Sequence, residues 1–248
     1  MLKRFRADLH IHTCLSPCGD LSMVPGVIVE EARKKGLQAI GICDHNASEN
    51  VLAVREVAER NGIAVLGGME ITSREEVHVL ALFDDDEKLL ELQKEVYDNL
   101  PGVNDAGAFG EQVVVNGKDE VVDVNERLLI GATELGLSRI VEATHSLSGL
   151  AIASHVDRES FGIFGQLGFI PEGLALDALE LWGSVSPWKA KEALPRGAGG
   201  FPLVTFSDAH YPHDIGTRCT TFLVETPALH EIRKALRGEG GRSAFPEE

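Results

Sequence analysis

His10 and His12 stand two residues apart at the end of an apolar run, and Cys14, Cys18 and Asp20 follow within eight residues. Residues i and i+2 of a strand project from the same face, so the two imidazoles can grip one ion. The same kinds of side chain recur beside later apolar runs: Asp44 and His45 after "LQAIGIC", Glu70 in "GGMEIT", His78 in "EVHVLALF", His155 after "GLAIAS", and Asp208 and His210 after "PLVTFS". Six of the nine histidines occupy such positions. Imidazole with carboxylate suits zinc, iron or manganese. These groups exceed the roughly four protein ligands of one zinc ion, so the expectation is two or three divalent ions.

Such residues converge only if the strands that carry them end at one face. Apolar, β-favouring runs alternate with amphipathic helical stretches, a pattern that predicts βα units around a largely parallel sheet. "RFRADLHIH" reads as a first strand, Pro25 starts a helix in "GVIVEEARKKG", and "LQAIGICDH" is a second strand. Ser48 is a candidate cap for the helix in "ENVLAVREVAERNG". Strands follow in "IAVLGGMEIT" and "EVHVLALF", with a helix after "DDDE". Further helices are predicted in "NERLLIGATELG" and "LSRIVEATHSL". Strands return in "GLAIASH", "LDALELWG", "PLVTFSDAH" and "CTTFLVE", then the helix "ALHEIRKALRG" and a polar tail. The expected class is an α/β barrel, one domain over residues 1–248, with catalytic groups at the C-terminal ends of its strands. Residues 101–125 break the rhythm and read as an insertion on the rim, with Asn116-Gly117 as a two-residue hairpin turn.

Acidic residues exceed basic ones by 39 to 23, for a formal charge of −16. Duplex affinity depends on Lys and Arg displacing counterions, so no stable duplex nucleic-acid binding is expected, and the expected partner is a small phosphorylated substrate. No signal peptide or apolar run of membrane-spanning length is evident, which predicts a cytoplasmic protein with no membrane partner. The four cysteines match neither a disulfide framework nor paired zinc knuckles.

The ordered set "DLHIHT", "CDHN", Glu70 of "GGMEIT", "HVLAL", "ASHVDR" and "SDAH" resembles the successive motifs of the PHP superfamily, named for polymerase and histidinol phosphatase domains. The resemblance implies a distorted (β/α)7 TIM-like barrel holding up to three divalent metals and hydrolysing phosphoesters. It implies that His10, His12, Glu70 and Asp208 hold a first metal, that Glu70 bridges to a second with His78 and His155, and that His45 and His210 hold a third. The third lacks an obvious partner in the long loop "TCLSPCGD"; Asp20 is the preferred equivalent and Cys18 the second choice. The implied function is a metal-dependent phosphoesterase acting on a small phosphorylated molecule, a nucleotide or the end of a short oligonucleotide being examples, with Glu70, Asp208 and His210 as catalytic residues. Histidinol phosphatase, amide hydrolysis and a non-catalytic metal-binding regulatory domain are the alternatives.

Arg158, three residues after His155, is a candidate phosphate clamp, set against a surface ion pair with Asp157 or Glu159. Asp44 is expected to orient a ligand imidazole. His213 is a weaker candidate for general acid. Trp182 and Trp188 are read as core residues first and as an aromatic wall second. Cys43 reads as core, and His145 and His230 as packing or surface residues.

Overall fold

The computed structural model describes residues 1–183, 194, 195 and 197–247. Nine strands form one sheet that curls into a nearly closed barrel: β1 (Lys3–Ile11), β2 (Ala39–His45), β3 (Ala64–Thr72), β4 (His78–Phe83), β7 (Leu150–Ala153), β8 (Ala178–Leu181), β9 (Leu203–Thr205), β10 (Thr220–Val224) and β11 (Ser243–Pro246). Their order in the sheet is β11-β10-β1-β2-β3-β4-β7-β8-β9. β1, β2 and β3 are parallel, as are β7, β8 and β9; β4 runs antiparallel to both its neighbours, and β10 and β11 add an antiparallel edge. The ring draws together where Thr205 Oγ1 of β9 donates to the Cys219 carbonyl, 2.6 Å away. The expected distorted barrel is therefore present, with antiparallel strands supplying the distortion.

The strands run almost wholly apolar because both faces are covered. β2 is buried along its entire length. The helices α1 (Pro25–Lys34), α2 (Val51–Arg60), α3 (Asp86–Asp98) and α5 (Leu137–Ser146) pack their apolar stripes on the outside of the sheet, and a smaller cluster around Leu9, Leu66, Leu82, Ile152 and Phe206 fills the inside. α3 is capped by Asp85, whose carboxylate accepts from the Glu87 and Lys88 amides. Ser48 does not cap α2: its hydroxyl donates to Gln93 Oε1, and the helix begins at Val51.

β1 carries a register shift against β2 between Asp8 and Ile11. Gly41 makes room for it, since a Cβ there would lie 2.4 Å from the Leu9 carbonyl oxygen. The bulge falls on the segment bearing His10, in keeping with the tendency of bulges to re-aim side chains beside functional sites.

Residues 101–125 form a short helix α4 (Ala106–Phe109) and an antiparallel hairpin of β5 (Val113–Val115) and β6 (Val121–Val124). The turn is not the predicted two-residue Asn116-Gly117 type. It spans 116–120, closed by the Asn116 amide on the Glu120 carbonyl, with the positive φ taken by Asp119 (63°). The hairpin is anchored on the loop after β1: the Val113 amide donates to the Cys14 carbonyl, and Asn50 Nδ2 donates to the Val113 carbonyl.

Three further expectations are corrected. "NERLLIGATELG" is not helical, because side chains take its carbonyls: Asn46 Nδ2 donates to Leu129 and Gly131, and Gln112 Nε2 to Asn125 and Arg127. Beyond the last helix, α7 (Leu229–Leu236), the polar tail folds back as β11 on β10. α6 (Ile163–Leu167) was not anticipated. Among the described residues, no helix is long and apolar enough to cross a membrane.

Candidate metal centre

β1 delivers His10 and His12, β2 ends on His45, β3 carries Glu70 and β4 begins at His78; the loops after β7 and β9 supply His155, Asp208 and His210. Because β4 is antiparallel, its first residue rather than its last reaches this end of the barrel. His155 (φ 29°) and Asp208 (φ 51°) hold left-handed backbone that non-glycine residues seldom adopt. Such conformations persist only where the surroundings over-determine them, and they gather at functional sites.

The other seven side chains gather around Glu70, which is 1% exposed. Its Oε1 lies 2.9 Å from His78 Nδ1, 3.1 Å from His155 Nε2 and 3.4 Å from His10 Nε2, while Oε2 lies 3.2 Å from His45 Nδ1 and 3.5 Å from His12 Nε2. Three overlapping groups could each hold an ion: His10, His12, Glu70 and Asp208; His45, Glu70 and His78; and His12, His45 and His210, with the donor atoms of each group within 4.8 Å of one another. Glu70 belongs to two of them, and His45 stands between the second and third.

The donor set fits divalent metals. His45 Nδ1 and His78 Nδ1 are buried and make no hydrogen bond, although each faces Glu70. Buried polar atoms without a partner are costly, and ligation would satisfy both. The far nitrogens of other rings are tied down, which points their Nε2 atoms inward. His10 Nδ1 is 3.0 Å from each oxygen of Glu180, and His210 Nδ1 donates to the Asp208 carbonyl at 2.8 Å. His12 Nδ1 donates to Ser16 Oγ, which must accept because its own proton goes to Asp44 Oδ1 at 2.6 Å. Asp44 thus orients a ligand imidazole through Ser16 rather than directly.

Electrostatics sort the rings by protonation. Burial, reinforced by His210, lowers His12 to about 4, and burial holds His45 well below the ordinary imidazole range. Both are neutral and ready to ligate at pH 7. Burial also opposes charge on His10, but Glu180, Glu70 and Asp208 override it and raise that imidazole well above its ordinary value. Burial would raise Glu70 and Asp208; the surrounding histidines, led by His78 for Glu70 and His10 for Asp208, instead keep both ionised well below the usual carboxylate range.

The structure does not bring Asp20 into the cluster. Its Oδ1 accepts from the Ser22 amide and hydroxyl, at 2.8 and 2.5 Å, so the carboxylate is used by its own turn. Cys18, the second choice, lines the cleft, and its Sγ lies 3.1 Å from His210 Nε2. The cleft has a volume of about 190 Å³ and is also bordered by Ile130, Arg158 and Phe161. Arg158 pairs with neither Asp157 nor Glu159: its Nη1 is 2.9 Å from Asp208 Oδ2, and its guanidinium lies 5.2 Å from the ring centre of Trp182. Trp182 is 51% exposed, which corrects its reading as core; Trp188 lies outside the described residues. His213 stays at the surface beside Asp214, its side chain 80% exposed, and does not line the cleft. His145 pairs with Asp177, and His230 with Glu231 at the surface.

Sequence reasoning missed Glu180 and Asp8. Each is a fully buried acid inside an apolar run, which is the signal that was available. Asp8 accepts from the Ser207 amide and hydroxyl and from the Gly216 amide, latching β1 to the loop that carries Asp208.

The PHP domain family model matches residues 8–165. A curated relative, the phosphoribosyl 1,2-cyclic phosphate 1,2-diphosphodiesterase of Eggerthella lenta, is 30% identical over 80 residues, 30% of this chain and 29% of that protein. Among solved structures, the lesion-specific endonuclease Q of Pyrococcus furiosus superposes with a TM-score of 0.72 at 22% identity, covering 98% of this chain and 58% of that one. An endonuclease Q bound to a 27-mer duplex with an abasic lesion at its active site gives 0.68 at 22% identity, covering 97% and 58%. This chain therefore spans less than two thirds of each of these proteins.

The duplex complex overturns the expectation of a small substrate without duplex binding, because a protein of this fold takes duplex DNA at its active site. The physical error was to reason from total charge. A charge of −16 counts every surface carboxylate, whereas phosphate binding responds to the local field at the contact.

Proposed function

This chain belongs to the PHP domain family, and on that premise we propose that it is a metal-dependent phosphodiesterase whose substrate is a strand of nucleic acid. The observation that carries the reading is the position of Glu70, one buried carboxylate shared by two overlapping donor groups and surrounded by five imidazoles. His10, His12, Glu70 and Asp208 would hold one divalent ion, Glu70 with His78 and His155 a second, and His45 with His210 a third. Such ions, when bound, acidify a water for in-line attack on phosphorus and offset the charge that grows on the phosphoryl oxygens.

The chain's own groups do the rest. Glu70 fixes the spacing of the two main donor groups with its two oxygens. Arg158, at the cleft wall, engages a non-bridging phosphate oxygen through its planar fork, exchanging its pairing with Asp208 for the substrate. Asp208, ionised and beside His12 and His10, orients the attacking water. Ile130 and Phe161 give the cleft apolar walls that limit bulk water, and Phe161 also stacks on His78 with ring centres 4.4 Å apart. The exposed face of Trp182, under Arg158, offers a stacking surface for a base next to the reacting phosphate.

A diester is favoured over a monoester by the diesterase and endonuclease relatives, and nucleic acid by a likeness that covers nearly the whole of this chain. The test is a panel with the metal-reconstituted protein: an abasic-site duplex, an intact duplex, a single strand, bis-p-nitrophenyl phosphate, p-nitrophenyl phosphate and histidinol phosphate. Cleavage of the diesters and of an oligonucleotide, lost in Asp208→Ala, supports the proposal. Turnover confined to the monoesters would overturn it.

A further inference from the structure

Just past the insertion, Leu128 to Gly131 form a turn closed by the Gly131 amide on the Leu128 carbonyl at 2.9 Å. Leu129 is buried with Leu15, Ala47 and Leu100 in a small apolar cluster, while its neighbour Ile130 borders the cleft. A turn on a rim ordinarily leaves its polar backbone groups to water. Here buried side chains take them. Asn46, 0% exposed and one residue past β2, donates from Nδ2 to the carbonyls of Leu129 and Gly131, 2.8 Å each, and accepts the Thr72 amide on Oδ1 at 3.0 Å. Gln112 Oε1 accepts the Leu129 amide at 3.2 Å, and Thr133 donates its amide and hydroxyl to the Thr72 carbonyl. Asn46 itself holds left-handed backbone (φ 50°), with its amide on the Glu70 carbonyl at 3.0 Å. Its carboxamide thus spans from the strand that carries Glu70 to the carbonyls on either side of Ile130.

We infer that Ile130 is a specificity-determining residue, an apolar contact for a ring attached to the reacting phosphate, and that Asn46 is the positioning residue that holds it there. The inference rests on the proposed phosphodiesterase reading and adds what the cleft asks of the ester group. Among the described residues that border the cleft, Ile130 and Phe161 are the hydrocarbon side chains; the rest carry imidazole, carboxylate, guanidinium or thiol groups. Phe161 already spends one ring face on His78. A branched alkyl group gains nothing from a phosphate oxygen or an ion, and gains only from apolar surface that it removes from water. In a diester that surface belongs to the carbon framework of an ester group, and a nucleobase or aryl ring offers more of it than a methyl.

The anchoring makes the contact selective. A side chain on a mobile loop adapts to whatever enters, whereas one on a turn tied to β2, β3 and the insertion keeps a fixed distance from Glu70 and rewards only a group that reaches it. An apolar contact of this size separates substrates by about 10- to 200-fold.

Metal-reconstituted protein is assayed with bis-p-nitrophenyl phosphate and methyl p-nitrophenyl phosphate, diesters that share a leaving group and differ in the ester group that stays on phosphorus. Wild type is expected to prefer the aryl diester, and Ile130→Ala to shrink that preference, read as the ratio of the two kcat/KM values, about tenfold and mainly through KM. Ile130→Val, which keeps a branched alkyl group, should restore most of it. Asn46→Asp keeps the outline of the side chain and the acceptor for the Thr72 amide but turns an oxygen toward two carbonyls; it should shift the preference the same way with metal content unchanged. A second readout needs neither metal nor turnover. In metal-free protein, Asn46→Asp should speed hydrogen exchange of the amides in 128–133, and Ile130→Ala should leave them as in wild type. Circular dichroism and thermal melting establish that each variant is folded. A preference unchanged in Ile130→Ala overturns the specificity role, and exchange unchanged in Asn46→Asp overturns the positioning role; both leave the phosphodiesterase reading standing. A wild type that cleaves neither diester overturns that reading and this inference with it.

Discussion

Arg158 and Asp208 form an ion pair across the mouth of the cleft, Nη1 to Oδ2 at 2.9 Å, and Asp208 is at once the partner of the arginine and a member of the His10, His12 and Glu70 donor group. The same guanidinium that neutralises this carboxylate faces the space a phosphate would enter. On the proposed function, replacing it removes a substrate contact without removing a donor of the cluster. Arg158→Ala is expected to lower kcat/KM about 10- to 100-fold, through KM more than kcat, with metal content unchanged. Arg158→Lys should recover only a small part, because an ammonium cannot reproduce the fork. Steady-state kinetics on a diester, with metal analysis alongside, check both. An unchanged KM in the alanine variant would remove Arg158 from substrate binding.

Glu180 acts through His10. Its carboxylate holds His10 Nδ1 at 3.0 Å and also accepts the His155 amide at 3.1 Å, so one buried acid positions residues from two parts of the cluster. Glu180→Gln keeps the shape and removes the charge. The expectation is a metal affinity about 10- to 100-fold weaker, the usual effect of losing a partner behind a ligand histidine. Competition with a chromogenic chelator measures it, and an affinity equal to wild type would refute the assignment.

Metal uptake should also release a proton. In the metal-free protein His10 is held well above the ordinary imidazole range by Glu180, Glu70 and Asp208, so at pH 7 it is an imidazolium, and ligation must expel its Nε2 proton. The sign follows: the imidazolium stabilises the metal-free fold below its raised value and that contribution fades as pH climbs through it, while metal affinity strengthens over the same interval. Calorimetry in two buffers of different ionisation enthalpy counts the protons. About one more should be released by wild type than by Glu180→Gln at pH 7. Equal counts would show that Glu180 does not hold His10 protonated.

Gly41 tests how the bulge in β1 is tolerated. Gly41→Ala would force a Cβ against the Leu9 carbonyl, 2.4 Å away in the present backbone. The variant should lose about 1–3 kcal/mol in urea unfolding, the range for overpacking a close-fitted interior, and bind metal less tightly because His10 is the next residue along. Wild-type stability would mean that β1 and β2 can separate freely.

Chelation should destabilise the whole chain. The cluster gathers seven buried or nearly buried polar groups that ions would satisfy, and ligand binding to the folded state alone adds about 4 kcal/mol when free metal exceeds Kd a thousandfold. Thermal melting with and without a strong chelator should show a clear drop, reversed by zinc or manganese. A melting temperature indifferent to both would argue that no ion binds here.

The histidines that gather around Glu70 were legible because they interrupt apolar runs at strand ends, where an uncompensated polar group has no structural reason to stand. Glu180 and Asp8 were harder to see: each lies within its run, and alternation in a strand does not distinguish a solvent-facing acid from one that reaches inward. Asp20 was preferred over Cys18, but its carboxylate is taken by the Ser22 amide and hydroxyl while its own amide is tied to the His210 carbonyl, a contact from the far end of the chain that local sequence does not encode. "NERLLIGATELG" has the apolar content of a helix, but Asn46 and Gln112, distant in sequence, take its carbonyls and leave it irregular. Trp182 misled for a similar reason, as its ring is covered by a cation rather than by core. The substrate expectation failed on a different count, with a bulk property standing in for a local one.

The latch from Asp8 to Ser207 and Gly216 joins parts of the chain some two hundred residues apart, and Ile11 bridges Ala209 just beyond it. The donor groups that include Asp208 or His210 are incomplete before that closure, whereas His45, Glu70 and His78 need neither. A ribosome-bound chain that has exposed only its first two thirds would therefore display histidines and Glu70 but lack Asp208 and His210, so loading of the full set of ions becomes a late event in synthesis. Where the cluster takes up its ions, full loading would then report that Asp208 and His210 have been brought against β1.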